Sequence, residues 1–561
     1  MTRPSSRVLG LATCCLLTAC AAEETLTPES FYGTLEPFAS EAVYFVVTDR
    51  FVDGDESNNQ QSQGEGQTAT FDRPIQLDGE PKANIGYLGG DFRGIVDNAD
   101  YIAEMGFSAL WITPIVDNPD EAFLGGTLPG QGIFTDRGKT GYHGYWGVNF
   151  FRVDEHLESD NLTFADLTRQ LRNGHDIRVV LDIVCNHGSP AYTNPVEQPK
   201  FGEIYNAEGE LIADHQNLRP GELDLNNPLH TFFSDEPDLA ELADVDPHNP
   251  AVLDYFVAAY SKWIEQGASA FRVDTIRHMP HSFWRAFAER IRSEHPNFFM
   301  FGESFDYDAR KIAEHTYIEN GNVSVLDFPG QEAIGEVFAG NAPYSRLLDY
   351  LHLDSGVYQN PYELMTFYDN HDMPRMAADD HGFIDANNWL FTSRGIPVVY
   401  YGSEVGFMAG AREHGGNRNY FGQDNIDAAR EHPIRKSLTS IAKLREALPA
   451  LQRGLQVNLE FTENTASFYR VYQHDGIRQA ALVLLNKGDA ENEFSPEILG
   501  SIEWRDAMTN QSVENVQSLS VAPHGVRVLI TDGLPDVIEP SRLRALQKMS
   551  ERPAAGSGGG G

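Results

Sequence analysis

The chain has 561 residues, of which 82 are Asp or Glu and 42 are Lys or Arg, so its formal net charge at pH 7 is −40. Hydrophobic residues make up 41% and charged residues 22%, a balance typical of folded globular proteins rather than disordered or fibrous ones. A negative charge this large repels phosphate backbones, which argues against nucleic acid as a ligand and favours a neutral substrate.

The first 18 residues have the pattern of a targeting segment. Arg3 and Arg7 precede an apolar stretch, residues 8–18, that is too short to span a bilayer as a permanent helix. The stretch ends in Leu17-Thr18-Ala19-Cys20, which resembles a bacterial lipobox. The resemblance implies that residues 1–19 are removed and that acylated Cys20 holds an exported lipoprotein at a membrane of the cell envelope. The alternative is an ordinary secretory signal that is cut near Ala21 or Ala22.

The four cysteines agree with this interpretation. Cys14 and Cys15 would leave with the signal and Cys20 would carry lipid, so Cys185 would be the single thiol of the mature chain. Cys185 lies in an apolar run and is expected to be a small core residue rather than a nucleophile. No internal disulfide is therefore expected.

After a polar tether (20–40), eight short apolar runs alternate with helix-period stretches. Near-continuous apolar strands that alternate with helices predict a parallel sheet covered by helices, and eight such units predict a closed (β/α)₈ TIM barrel over residues 41–187 and 248–454. The predicted strands are Ala42–Val47, Ser108–Thr113, Arg178–Val184, Ala268–Val273, Phe298–Phe301, Val323–Asp327, Leu364–Phe367 and Pro397–Tyr401.

Two further units are predicted from changes in composition. Residues 188–247, between the third and fourth strands, are rich in Asn, Pro, Gly and acids and indicate an inserted subdomain. Residues 455–535 contain alternating runs with turn residues between them, which predicts a C-terminal antiparallel β-sandwich. Residues 536–561 are expected to be a tail that ends in a Gly/Ser linker.

Polar and charged residues cluster where four of the predicted strands end. In a barrel of this kind, catalytic groups lie at the carboxyl ends of the strands and in the loops beyond them. The four segments are Asp182-Ile183-Val184-Cys185-Asn186-His187, Arg272-Val273-Asp274-Thr275-Ile276-Arg277-His278, Gly302-Glu303-Ser304 and Asp369-Asn370-His371-Asp372.

The surroundings of these carboxylates predict different roles. Arg272 and Asp274 are two residues apart on a strand, so they share a face, and the guanidinium keeps the carboxylate ionised as a nucleophile requires. Glu303 follows an aromatic strand, which raises a carboxyl pKa as a general acid requires. Asp372 reaches the same point from strand seven.

These four segments, in this order, resemble the signature regions of the α-amylase family of glycoside hydrolases (family 13), over about residues 38–530. The resemblance implies that Asp274 is the nucleophile, Glu303 the general acid/base and Asp372 the third carboxylate. It also implies a retaining mechanism, for which the Asp274 and Glu303 carboxyls are expected about 5–5.5 Å apart. Residues that the resemblance places around the substrate are Asp182, His187, Arg272 and His371.

Further sugar contacts are expected in loops beside these segments. Gly141-Tyr142-His143-Gly144-Tyr145-Trp146 resembles a family loop in which Tyr145 would stack on the sugar, His143 would contact a hydroxyl, and Trp146 would lie nearby. Arg277, with His278 after it, is expected on the leaving-group side. Asn417-Arg418 resembles a family pair whose Arg contacts a donor-side sugar.

Two Ca²⁺ sites are predicted, since Ca²⁺ takes about 6–8 oxygen ligands. The acidic turn 53–59 and Gly89-Gly90-Asp91 resemble the calcium loop of the cyclodextrin glucanotransferase branch, which implies ligands from Asp53, Asp55, Asn58, Asn59, Gly89 and Asp91. A solvated acidic turn is the alternative. By a second resemblance, Asn186, Asp214 and the carbonyl of His278 would bridge barrel and subdomain.

The predicted function is that of a monomeric endo-acting α-1,4-glucan hydrolase, an α-amylase acting on starch and maltodextrins. A cyclomaltodextrinase or maltogenic hydrolase and a cyclodextrin glucanotransferase or 4-α-glucanotransferase are alternatives. Against the transferase, the chain ends after one sandwich, and Leu211–Ala213 lacks the aromatic residue expected centrally. A non-catalytic glucan-binding lipoprotein is a more distant alternative, which three intact carboxylates disfavour.

Overall fold

The computed structural model of the protein describes residues 29–60, 70–77, 80–128, 135–412, 416–496, 503–513, 518–535 and 538–551. The predicted signal segment, the acylated Cys20 and the Gly/Ser end of the chain lie outside the described residues. Cys185 is buried and forms no disulfide with any described residue, as expected for a core position.

The predicted (β/α)₈ barrel is confirmed. Neighbouring barrel strands pair in parallel, and a bridge between Leu326 and Met365 joins the sixth strand to the seventh. Each strand lies within about two residues of its prediction, because a strand buried on both faces needs an uninterrupted apolar run. The eight strands are Val43–Val46, Ala109–Ile112, Arg178–Ile183, Ala268–Val273, Phe299–Gly302, Ser324–Val325, Met365–Thr366 and Ile396–Tyr400.

Helices surround the barrel. Local sequence fixes where one of them begins: Thr163 caps the N-terminus of Phe164–His175 and forms a capping box with Asp166. The helical stretch between the first two barrel strands consists of two helices that meet at Asn98. The longer helices are Phe92–Asp97, Ala99–Glu104, Phe164–His175, Pro250–Glu265, His281–Glu294, Phe328–Phe338, Asp380–Thr392, Gly422–Ala429, Pro433–Ala447 and Pro540–Ser550, and the shorter ones are Thr48–Phe51, Ala309–Ala313, Leu348–Leu351 and Pro449–Arg453.

The inserted subdomain stands on a two-stranded base beside the third and fourth barrel strands. His187–Pro190 pairs antiparallel with Leu242–Asp244, and Glu203–Tyr205 pairs with Leu211–Asp214 further out. Two more antiparallel strand pairs lie in barrel loops, Pro74–Leu77 with Glu80–Asn84 and Val116–Asp117 with Asn149–Val153. The subdomain is thus attached directly to the segment that carries His187.

The C-terminal unit is antiparallel, as predicted. Its larger sheet contains, in spatial order, Leu455–Phe461, Thr465–His474, Ile477–Asn486, Gly525–Thr531 and Arg505–Asp506. A second, two-stranded sheet pairs Asn492–Phe494 with Leu519–Val521.

Both predicted terminal tails are partly folded. Phe31 is buried and exchanges backbone hydrogen bonds with Gln473, and the helix Pro540–Ser550 buries Leu543 and Leu546 against the first strand of the C-terminal sheet. A mostly polar helix with two apolar anchors gives little sequence signal, which is why it was missed. No helix in the described part of the chain has both the length and the hydrophobicity that crossing a bilayer needs.

Candidate active site

Three carboxylates from three different barrel strands meet at one guanidinium. Arg272 Nη1 lies 2.6 Å from Asp274 Oδ1, and its Nη2 lies 2.9 Å from Glu303 Oε2 and 4.0 Å from Asp372 Oδ2. Arg272 is fully buried, while the side chain of Asp372 is 25% exposed. The predicted convergence of strands four, five and seven is therefore what the structure shows.

Arg272 is itself fixed from the third strand. Its Nη1 lies 2.8 Å from Asp182 Oδ1, and Asp182 Oδ2 accepts hydrogen bonds from Trp111 Nε1 at 3.0 Å and from the Tyr145 hydroxyl at 2.8 Å. Burial raises the pKa of Asp182 to about 7 in spite of Arg272. Asp182 acts on the carboxylates through the guanidinium that it orients.

The surroundings shift the pKa values of two of the carboxylates in opposite directions. Burial raises the pKa of Glu303 well above its ordinary value, and the charges of Asp372 and Asp274 add to the rise in spite of Arg272. Burial also opposes ionisation of Asp372, but His371, Arg418 and Arg272 together lower its pKa to about 2. Glu303 is thus suited to hold a proton and Asp372 to stay ionised, which is how paired carboxylates divide acid and base roles.

This electrostatic division predicts the pH dependence of turnover. A general acid must carry its proton, so kcat/KM falls as the pH rises through the pKa of Glu303, and the alkaline limb is expected above the ordinary glutamate pKa of about 4.3. Asp372→Asn removes a negative charge that raises this pKa, so the alkaline limb should move to lower pH. The kcat/KM profiles of both proteins measure the shift; an unmoved or higher limb in the variant would contradict the assignment.

The loop after the seventh strand holds His371 and Asp372 close together. Arg418 Nη2 lies 2.5 Å from Asp372 Oδ1, and its Nε donates to the His371 carbonyl at 2.9 Å. His371 Nε2 lies 3.1 Å from Asp372 Oδ2 and 2.8 Å from the Tyr145 hydroxyl. Arg418 therefore orients the third carboxylate, and its predicted contact with a sugar stays a prediction.

In the aromatic loop after the second strand, Tyr145 and His143 lie at the site, whereas Trp146 does not. The half-buried Tyr145 stacks on His371, with ring centroids 5.5 Å apart, and His143 Nδ1 accepts the Tyr145 backbone N–H at 3.1 Å. Trp146 is buried instead in a small apolar cluster with Phe123 and Phe201. Its position is that of a core residue of the subdomain, so its ring supports the loop from behind.

The other predicted contacts lie at the end of strand four and beside it. His187 is buried, and burial lowers its pKa, which favours the neutral imidazole. Arg277 is exposed and donates to the Phe305 carbonyl, and His278 Nδ1 lies 2.9 Å from Asp238 Oδ2.

Two aromatic residues near the general acid were missed. Phe305 and Tyr307 are 40% and 43% exposed, and they follow Glu303 by two and four residues. The sequence feature that could have identified them is a pair of aromatic residues, two positions apart, directly after the fifth strand.

The first predicted calcium site has oxygen atoms that could serve as ligands of a cation. Among the described residues, the buried atoms Asp53 Oδ1 and Asn58 Oδ1 have no hydrogen-bond partner. Asp91 Oδ2 accepts from Asn58 Nδ2 at 3.2 Å, and a Cβ at Gly89, where φ is +87°, would lie 2.3 Å from Asn59 Oδ1. Oxygen atoms from separate segments therefore lie close together beside a glycine whose replacement would crowd them.

Asp55 does not share this arrangement. Its Oδ1 accepts hydrogen bonds from the backbone N–H of Ser57 at 3.0 Å and from the Ser57 hydroxyl at 2.5 Å. These hydrogen bonds lower the pKa of Asp55, which closes its own turn.

At the second predicted site, the acids beside Asn186 differ from the prediction. Asp214 Oδ1 accepts the backbone N–H of Gln216 at 2.8 Å within its own turn. Asp238 lies against His278 and beside Asn186, and Asp244 pairs with His187 in the base of the subdomain. Asp244 Oδ1 is buried and has no hydrogen-bond partner in the described part of the structure. Asn186, Asp244 and Asp238 fit an oxygen-liganded cation better than the predicted set.

A third group, Asp120, Glu155 and His156, has ligand atoms within 4.8 Å of one another. His156 Nδ1 lies 2.7 Å from the Asn58 carbonyl, and its Nε2 lies 3.4 Å from Asp120 Oδ1. Although burial lowers it, the contacts with Asp120 and Asp154 raise the pKa of His156 to about 9. The imidazolium pairs with Asp120 and supports the Asn58 loop.

Removal of calcium is expected to destabilise the protein and lower its activity together. Asp53→Asn keeps the shape of the first site but removes a charged ligand, so we expect a lower Tm that excess Ca²⁺ restores only in part. Asp55→Asn is the matched control and should retain the wild-type response to EDTA and Ca²⁺. Thermal unfolding with and without chelator measures both; an EDTA-indifferent wild type would contradict the site.

Comparison with known proteins agrees with this geometry. The family model "Alpha amylase, catalytic domain" matches residues 45–474. A cyclomaltodextrin glucanotransferase of Thermoanaerobacterium thermosulfurigenes is 29% identical over 467 residues, which are 80% of this chain and 60% of that protein. An alpha-amylase of Niallia circulans is 29% identical over 476 residues, 82% of this chain and 83% of that protein. The chain thus spans about 60% of the length of the first relative.

Two solved structures extend the comparison. An alpha-amylase from Geobacillus thermoleovorans, complexed with acarbose, superposes with a TM-score of 0.64 at 27% identity, covering 88% of this chain and 98% of that one. A cyclomaltodextrin glucanotransferase described as having a three-domain ABC distribution superposes with a TM-score of 0.69 at 28% identity, covering 88% and 99%. The number of domains therefore does not separate the two activities, and the prediction that used it loses that support.

Proposed function

Because the chain belongs to the α-amylase family of enzymes acting on α-glucans, we propose that it is a retaining, endo-acting α-1,4-glucan hydrolase that cleaves starch and maltooligosaccharides. The observation that carries the proposal is the set of three carboxylates around Arg272, of which Glu303 has a raised pKa and Asp372 a lowered one. A binding protein needs no such division between protonated and ionised acids.

The geometry supports a double-displacement mechanism. Glu303 gives its proton to the glycosidic oxygen while Asp274 attacks the anomeric carbon, so the C–O bond to the leaving sugar breaks and a glycosyl ester to Asp274 forms. Glu303, now ionised, takes a proton from water, which attacks the same carbon and releases Asp274. Two inversions give net retention. Asp372 and His371 hold sugar hydroxyls, and Arg272 keeps Asp274 ionised.

A groove beside the site favours a polymeric substrate. It has a volume of about 1420 Å³, lies on the inserted subdomain and is lined by Tyr192, Arg219, Glu222 and Asp238, among others. Asp238 also contacts His278, four residues beyond Asp274, so the groove begins at the edge of the catalytic loops. A chain of several sugars extending over the subdomain explains its size better than a disaccharide does.

A cyclodextrin-forming transferase is the second candidate, favoured by the relative that is 29% identical and by the three-domain structure that is 28% identical. The two candidates differ in whether water or a sugar hydroxyl accepts the glycosyl group. Thin-layer analysis of products from soluble starch, pullulan and β-cyclodextrin separates them. Linear maltooligosaccharides from starch support the hydrolase; cyclic products from starch would favour the transferase.

Two further parts of the proposal are a bound Ca²⁺ ion and a lipid anchor. Asp53, Asn58, Asn59 and Asp91, with the Gly89 carbonyl, would hold Ca²⁺, which supplies positive charge that fixes this loop. The lipobox-like Leu17–Cys20 supports an acylated envelope lipoprotein. Metabolic labelling with a fatty acid tests the anchor, since Cys20→Ser should abolish the label.

A further inference from the structure

The loop that carries His371 and Asp372 has little secondary structure to hold it. The seventh barrel strand ends at Thr366 and the next helix begins at Asp380, so residues 367–379 are neither helix nor strand. Asp369 fixes the start of this loop, since it accepts hydrogen bonds from Met376 N at 3.1 Å and from the Ser403 hydroxyl at 3.0 Å. The part around Asp372 needs partners of its own.

One buried amide supplies most of those partners, beside Arg418 Nε on the His371 carbonyl. Asn417 Nδ2 lies 2.7 Å from the His371 carbonyl, 2.8 Å from the Met373 carbonyl and 3.4 Å from the Asn370 carbonyl. These carbonyls belong to residues on either side of Asp372. Asn417 is fully buried, and its Oδ1 has no hydrogen-bond partner among the residues described. Within the described part of the chain the side chain therefore acts as a donor, and its contacts go to this loop.

The backbone of Asn417 is anchored to the barrel. The hydroxyl of Tyr400, at the end of the eighth strand, donates a hydrogen bond to the backbone carbonyl of Asn417 at 2.9 Å. The Tyr400 ring in turn contacts Phe45 of the first strand and the guanidinium of Arg375, which belongs to the 367–379 loop. The backbone of Asn417 is thus held at the barrel, and its side chain holds the part of the loop around Asp372.

We propose that Asn417 is a positioning residue for the reaction: it sets the place of Asp372 and His371 relative to Glu303 and Asp274 without touching the substrate. The assignment rests on the proposed function for its catalytic part. It goes beyond that function because it assigns a role to Asn417. The sequence prediction for this pair of residues concerned only Arg418, as a sugar contact.

Substitutions can separate this role from simple packing. Asn417→Asp is nearly isosteric but replaces a donor by a carboxylate that repels three carbonyl oxygens, and Asn417→Ala leaves those carbonyls without the donor. Asn486 is a matched control, because it is also fully buried and its Nδ2 donates to three carbonyls, of Ala490 at 2.8 Å, Val521 at 3.2 Å and Ala522 at 3.0 Å. It lies in the C-terminal sheet, away from the carboxylates.

The test compares Asn417→Asp, Asn417→Ala, Asn486→Asp and Asn486→Ala in the full-length protein. Tm, kcat and KM on a maltoheptaoside are measured, together with amide hydrogen exchange of the peptide covering residues 370–376. For both Asn417 variants we expect kcat to fall about 100-fold with KM changed less than about threefold, since Asp372 and His371 are expected to hold the sugar more strongly in the transition state than in the ground state. Exchange of that peptide should be faster. The Asn486 variants should lose comparable Tm with wild-type kcat and exchange.

Each outcome decides the matter. Asn417 variants whose kcat matches that of Asn486 variants of equal Tm, or whose 370–376 peptide exchanges like the wild type, would overturn the inference. If the wild type turns over no α-1,4-glucan, the proposed function is wrong. Hydrogen exchange alone then decides whether Asn417 holds the loop.

Discussion

Glu303→Gln is expected to lower kcat on maltooligosaccharides about 10³-fold, because glutamine cannot give a proton to the leaving oxygen. The loss should depend on the leaving group. Fluoride leaves maltosyl fluoride without protonation, so kcat/KM for this substrate, which reports ester formation, should fall much less than kcat/KM for a maltooligosaccharide. Steady-state kinetics on the two substrates measure the difference.

Glu363→Gln is the matched control for this variant. Glu363 is also a largely buried glutamate, whose pKa burial raises to about 7, but it precedes the seventh strand at the opposite end of the barrel and accepts from the Thr34 hydroxyl at 2.6 Å. Its replacement should leave kcat near the wild-type value. Full turnover of maltooligosaccharides by Glu303→Gln would remove Glu303 from the mechanism.

Asp274→Asn is expected to lower kcat by at least about 10⁴-fold on both kinds of substrate, because no covalent ester can form at an amide. Unlike the loss in Glu303→Gln, this loss should not depend on the leaving group, since attack on the anomeric carbon is required in each case. The contrast between the two variants assigns acid and nucleophile separately.

The control for Asp274→Asn is Asp385→Asn. Asp385 is buried in an outer helix and contacts His524 of the C-terminal unit at 2.7 Å, so its replacement also removes a buried carboxylate from an ion pair. A lower Tm with unchanged kcat is expected there. Comparable kcat in Asp274→Asn and in the control would mean that Asp274 is not the nucleophile.

The barrel and its carboxylates could be predicted because both depend on local sequence. A strand covered on both faces requires an apolar run, and residues that follow such a run, like Asp274 and Glu303, must emerge at the same end of the barrel. The charge pairing of Asp274 with Arg272 follows from their spacing along a single strand. These features need no knowledge of how distant segments pack.

What could not be predicted depends on contacts between distant loops. Asp238 and Asp244 reach Asn186 through the folding of a subdomain of some 60 residues, so the nearby Asp214 was chosen in their place. Trp146 has the same local sequence signal whether it faces sugar or, as here, Phe123 and Phe201. The role of Asn417 depends on three carbonyls, which no pattern of side chains records.

The most direct test of the account is the mass of the enzyme after brief reaction with a fluorinated maltosyl fluoride, which slows ester hydrolysis more than ester formation. Peptide mapping should place one covalent maltosyl group on Asp274, and the label should be absent from Asp274→Asn. A label on another residue, or steady turnover to β-configured products with no label, would contradict a retaining site built from Asp274, Glu303 and Asp372.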